Sequence, residues 1–224
     1  ETSNSHLALL GSTIVANAAA GGLGGGLALR SQSTALVRGS TFEGNAAANG
    51  AAIAVQDASV DARDSVLRAN TATESGGGLY ARASSSLHLT GLTVSRNRAP
   101  QGGGLLLRES APVLTGLLLE ENRAAQGGGL MVASCASVVV AASRFARNNV
   151  SEESLAPTAP STAMVEGGAL FCVDSLALTL RNLTFDANDA SSSTPTKASG
   201  GGLAAHDCAG AVHSAAFDRN TANQ

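Results

Sequence analysis

Four acidic residues that recur at one place in a repeating pattern are the first candidates for chemistry in this chain. Asp57, Glu109, Asp174 and Asp207 each stand four positions after the last residue of a GG-x-[LI] element. Asp174 and Asp207 belong to adjacent units, with His206 beside them. Two carboxylates held that close can bind Ca²⁺ or push one pKa upward, which suits metal or acid/base work on a polysaccharide. Ser31 and Ser134 fill the same position in other units, so the simpler reading is a polar bend. A sugar-binding cleft would also want aromatic faces, and Tyr80 is the single tyrosine in a chain without Trp. No catalytic residue is therefore expected.

Other chemistries fail on the residues. His6, His88, His206 and His213 have no ligand spacing and Cys-x-x-Cys is absent, so neither a metal site nor a cofactor is expected. The chain has no G-x-x-x-x-G-K-[ST], and Lys197 is its only lysine. The stretch "GGLGGGL" at 21 to 27 places Leu at the last required glycine of G-x-G-x-x-G. Arg30, Gln56, Arg82 and Arg108 share one outward position, a modest basic stripe that reads most simply as a solvated face. Cys172 takes an inward position held elsewhere by Leu29, Val55, Leu107 and Val132, which suits a buried thiol. Cys135 and Cys208 lie two units apart, too far to bridge directly, and a Cys172–Cys208 bond stays open. "NVS" at Asn149 and "NLT" at Asn182 match the N-glycosylation acceptor pattern, and both asparagines are expected to be accessible.

The totals set the frame for these candidates. The 224 residues are 44% hydrophobic but only 3% aromatic, so the core must be built from small aliphatics in a thin, regular arrangement. Charged residues are 14% and the net charge is −3, which favours neither nucleic acid nor an anionic membrane as partner. The uncharged span from Leu7 to Leu29 is long enough for a membrane helix, but its six glycines with Ser12, Thr13 and Asn17 argue against insertion. The chain opens on Glu without a basic leader, begins and stops mid-pattern, and is expected to be part of something longer.

A repeat organises the whole chain. GG-x-[LI] ends at Leu27, Leu79, Leu105, Leu130, Leu170 and Leu203, with a weaker copy ending at Ile53. An apolar-x-x-Asn motif interleaves with it, ending at Asn17, Asn45, Asn70, Asn97, Asn122, Asn148, Asn188 and Asn220. From each GG-x-[LI] to the next motif Asn the distance is 17 or 18, whereas the return distance runs from 8 to 22. One part of each unit is fixed and one corner accepts insertions. The fixed part reads as alternating short strands divided by turn-formers, among them Gly11, Gly39, Asp64, Gly91, Gly116 and Asn182.

The predicted fold is all-β, a right-handed parallel β-helix or solenoid of about seven to eight coils of three short strands, in a single segment over 1–224. Like positions stack on like, one strand spacing of about 4.8 Å apart. The motif asparagines form a corner ladder, with Asn tolerating left-handed backbone angles there and its amides bonding from coil to coil. The glycines turn the chain and allow close approach. Insertions at 149–166 and 189–199 are expected to project side by side from one edge.

The alternation of "GGALF" at 167 to 171 with "FEGN", "FARN", "FDAN" and "FDRN" resembles the repeats of the chlamydial polymorphic outer membrane proteins. The match covers nearly the whole chain but uses GGGL more often than GGA, and often Leu or Val in place of Phe. The resemblance implies a pectin-lyase-like β-helix displayed at a cell surface and used in adhesion. The expected function is a non-catalytic structural or adhesive segment, extracellular or at the cell surface. Its expected partners are other protein subunits or flanking domains of the same protein, and glycans. The alternatives are a polysaccharide-processing enzyme of the pectin-lyase-like class and a bacterial autotransporter passenger adhesin.

Overall fold

In the computed structural model, which describes residues 2–3, 5–84, 86–151, 164–192 and 198–223, every strand pairs in parallel with the strand one repeat away. The pairing follows the repeat residue by residue. Leu27, Ile53, Leu79, Leu105, Leu130, Leu170 and Leu203 stand in one register, so each GG-x-[LI] opens the same strand of its coil. These strands, Leu27–Arg30 through Leu203–His206, form an eight-stranded sheet with Thr2–Ser3 at its edge. No helix of the described residues is long and apolar enough to cross a membrane.

The second and third strands of each coil make a 14-stranded sheet. Four left-handed glycines and one left-handed aspartate mark the bend between them: Gly11, Gly39, Asp64, Gly91 and Gly116. Asn182 does the same inside the long strand Leu178–Asp186. The structure adds Ala142 and Ser214 to this row, both left-handed at the same bend.

Each coil also carries a fourth short strand where the sequence reading placed only a return. Ala46–Asn49, Thr71–Ser75, Arg123–Ala124, Asn149–Ser151, Asp189–Ser191 and Thr221–Asn223 begin directly after the motif Asn, and Arg98 bridges Thr71 to Arg123. The cause is a small apolar residue two places after every motif Asn: Ala19, Ala47, Ala72, Ala99, Ala124, Val150, Ala190 and Ala222. From Ala47 to Ala190 all six are buried, closing the fourth side with side chains small enough for tight stacking. The two insertions are correspondingly shorter than 149–166 and 189–199. Their first residues lie in strands, as do Val165–Glu166 and Ala198–Ser199, while residues 152–163 and 193–197 lie outside the described residues.

Inside, aliphatic rows run along the axis. Phe42, Leu67, Val94, Leu119, Phe145 and Phe185 are wholly buried and in register. Phe145 stacks on Phe185 at 5.0 Å between ring centroids, and Phe185 on Phe217 at 4.6 Å. Beside this row runs the asparagine ladder. Asn97 donates its backbone N–H and its Nδ2–H to Asn122 Oδ1 at 3.0 and 3.1 Å, and its other Nδ2–H to the Leu67 carbonyl at 2.8 Å. The pattern repeats from Asn17 to Asn220. From Asn45 to Asn188 every ladder side chain is buried, so these bonds satisfy amides that would otherwise cost about 1–3 kcal/mol each to leave bare.

The left-handed angle expected at the motif Asn falls instead on the residue before it: Ala16, Gly44, Ala69, Arg96, Glu121, Arg147, Ala187 and Arg219. That residue makes the turn, and the Asn behind it points its amide along the axis, where it bonds to the coils above and below.

Candidate binding groove

The corner carboxylates sit where a bend residue should. Asp57, Glu109, Asp174 and Asp207 are exposed and left-handed, as are Ser31, Ala83 and Ser134 in the same row. Asp174 and Asp207 do stand in neighbouring coils. Glu109 pairs with Arg82 at 3.2 Å, tying the carboxylate row to the outward arginine row. That arginine row, Arg30, Gln56, Arg82 and Arg108, continues as Ala133, Val173 and His206. Among the described residues no group of three His, Cys, Asp or Glu could hold a metal ion.

His206 finds a partner the sequence reading missed. Its Nε2 lies 2.9 Å from Glu166 Oε1, close enough to pair but not aligned as a hydrogen bond, and Glu166 is 3% exposed. Phe171 packs edge-on against His206 at 5.5 Å. The residue before each glycine pair is itself a polar row here: Gln101 donates to Gln126 at 3.3 Å and Gln126 to Glu166 Oε2 at 3.4 Å. Between these rows the outward residues Leu106, Met131 and Phe171 are buried, with Tyr80 packed against them. The outer face of the first sheet is thus more apolar than Tyr80 alone suggested.

Cys172 and Cys208 are joined by a disulfide across 36 positions, and Cys135 is free and buried. Cys135 takes the position of Ser110 and Ser175 in a corner serine row; its thiol faces the Leu107 carbonyl, and burial pushes its pKa up. Of the two glycosylation candidates, Asn182 is exposed at its turn, whereas Asn149 is half-buried and donates to Asp189 at 3.1 Å. His6 bonds to Thr34 and His88 to Ser86.

A concavity lies on the fourth side, with a volume of about 1070 Å³. Arg96, Arg98, Arg123 and Arg147 line it, with Glu121 between the outer two. Among the described residues its remaining wall is Thr71, Asn97, Asn149, Ser151, Ser191 and Ser192. The repeat builds it directly. Arginines on either side of the motif Asn, in "RNR" (96–98), "NR" (122–123) and "RN" (147–148), are carried onto one corner by stacking. Arg96 and Arg147 both hydrogen-bond Glu121, at 2.8 and 3.1 Å, and hold its carboxyl below the usual carboxylate range. Arg147 also reaches Glu120 at 3.1 Å. Arg123, exposed and paired in register with Arg98, has no side-chain hydrogen bond or ion pair among the described residues. A guanidinium in that state is ready for an anion in bidentate geometry.

The family model described as right handed beta helix region matches residues 2–221. No curated protein and no solved structure matches the chain.

Proposed function

The chain belongs to the right-handed β-helix family, and from that premise we propose that it is a non-catalytic structural or adhesive segment of an extracellular or cell-surface protein. The observation that carries this reading is how the recurrent polar positions are used. Motif asparagines bond along the axis, the corner carboxylates are left-handed bends, and Glu109 is held by Arg82. A scaffold of this kind offers long regular faces, and its function rests on what those faces touch. The Cys172–Cys208 disulfide suits an oxidising compartment, in keeping with export from the cell. The resemblance of the GGA[ILV] and FxxN motifs to polymorphic outer membrane protein repeats supports adhesion as the role. Other subunits or flanking domains of the same protein, and glycans, are the partners this reading implies.

A second reading, a polysaccharide-processing enzyme, draws on the buried Glu166 beside His206 and Phe171. One experiment separates the two. Pectin, alginate and related polymers are incubated with the protein and assayed for new reducing ends and unsaturated products. The scaffold reading expects no turnover above a buffer blank. Turnover that disappears in Glu166→Gln, or in Asp174→Ala with Asp207→Ala, establishes the enzyme instead.

A further inference from the structure

We propose that Asn182 is an N-linked glycosylation site and that Asn149, the other N-x-[ST] match, is not. The inference rests on the extracellular reading, because the oligosaccharide is added in a secretory compartment.

The argument begins with the bend. Asn182 divides the long strand Leu178–Asp186, left-handed at φ +51 and exposed. Asn is one of the few residues besides glycine that accept this angle readily, so a single side chain serves as both bend and acceptor. One coil to either side stand Ala142 and Ser214, both exposed and both with short side chains that leave room for a sugar. Side chains at this bend project away from the molecule. A Cβ added to Gly11 or Gly39, in the same row, meets nothing within 4 Å. Leu183 turns inward at 2% exposure, which leaves Asn182 and Thr184 together on the outer face. The two residues that define the "NLT" match are therefore presented side by side to solvent.

Asn149 meets the opposite conditions. It opens the strand Asn149–Ser151, half-buried between Arg123 and Asp189 in register, and its Nδ2–H is donated to Asp189 at 3.1 Å. A glycan is bulky and belongs at the surface. On Nδ2 of Asn149 it would press on the facing side chain of the next coil, whereas on Asn182 it extends into water. In the transfer step the Asn182 amide nitrogen bonds to the anomeric carbon of a lipid-diphosphate-linked oligosaccharide. The bond from that carbon to the diphosphate oxygen breaks, the lipid diphosphate leaves with the electron pair, and the amide gives up one proton. The modified nitrogen keeps its second proton, and the bend keeps its backbone.

The test expresses the 224-residue protein behind a secretion signal in cultured eukaryotic cells and recovers it from cells and medium together. Peptide N-glycosidase in heavy-oxygen water then converts each glycosylated Asn to a labelled Asp, which peptide mass spectrometry locates. Label at Asn182 should exceed that at Asn149 at least tenfold. Asn182→Gln should abolish the glycan mass shift of the intact protein, and Asn149→Gln should leave it unchanged. Thr184→Val keeps the bend residue in place and should abolish the shift as well, so the result does not depend on how the bend tolerates Gln. Removing the glycan from wild type should leave the far-ultraviolet spectrum and melting temperature unaltered, as expected of a side chain that points away from the coil. An unlabelled Asn182, label at Asn149 equal to or above it, or a mass shift that survives Thr184→Val each overturns the assignment. A bare Asn182 in protein that has passed through the secretory route removes this inference and leaves the scaffold reading standing. Polymer cleavage by protein glycosylated at Asn182 removes the scaffold reading instead.

Discussion

Replacing Asn122 by Leu is expected to lower the free energy of unfolding by about 3–5 kcal/mol, the sum of several buried polar groups left without partners. Leu keeps the branched outline of Asn with bulkier methyl groups, so no cavity is opened. The loss comes from four hydrogen bonds. Asn97 loses the acceptor for both its backbone N–H and its Nδ2–H, while the Val94 carbonyl and Asn148 Oδ1 each lose a donor. All of these groups sit where water does not reach, since Asn97, Asn122 and Asn148 have no exposed surface. Asn149→Leu, one coil further on and outside the motif, removes one bond to Asp189 from a half-buried site. It should cost about 1 kcal/mol. Urea unfolding of both variants, compared at equal m-value, checks the contrast. Similar midpoints for the two would show that the ladder adds nothing to the coil stack.

The second large effect is expected from Gly128→Ala. The three glycines of "QGGGL" are not equivalent. Gly127 is left-handed at φ +61 and turns the chain. Gly128 is needed for space: a Cβ there would lie 2.3 Å from the Gly168 carbonyl oxygen and 2.9 Å from that of Asn149. Both obstacles are backbone of the next coil, so no side chain can swing away and the coils themselves must separate. Gly77, Gly103 and Gly168 meet backbone at similar distances, which is why the clash cannot be passed along the stack. The cost should be about 3 kcal/mol or more, at the upper end of overpacking effects. Gly39→Ala is the matched control. Gly39 has φ +57 but nothing within 4 Å of its added Cβ, so only the left-handed penalty of about 1–2 kcal/mol applies. If the two variants melt together, the glycines serve only as turns.

The same contrast explains what could be read from the sequence. Positions that repeat, such as the Leu of GG-x-[LI] and the motif Asn, fix the register because each must stack on its own kind. The fold class follows from them directly. The fourth strand was equally legible, in the Ala or Val two places after each Asn, but strands this short, several of only two or three residues, have too little alternation to register. The left-handed residue was misplaced by one because Asn has a general tolerance for that angle. Only the ladder geometry shows that its amide is already committed elsewhere.

Site residues divide along similar lines. The arginine groove could have been found from the arginines beside Asn97, Asn122 and Asn148, once those corners were stacked. The Glu166–His206 contact could not, because it joins the ends of two strands in different sheets, Val165–Glu166 and Leu203–His206, across side-chain lengths that spacing does not encode. The Cys172–Cys208 bond is an intermediate case. Register puts the two in adjacent coils, but the direction of each side chain settles whether the sulfurs meet.

Hydrogen exchange at the side-chain amides of the asparagines measures the ladder itself, on which the coil-by-coil account of the chain depends. Both Nδ2 protons of Asn70, Asn97, Asn122 and Asn148 are engaged, one along the ladder and one to a backbone carbonyl. They should exchange only through global unfolding, while those of half-buried Asn49 and Asn149 exchange far sooner. Ladder amides that exchange as fast as that of Asn149 would contradict a continuous asparagine stack.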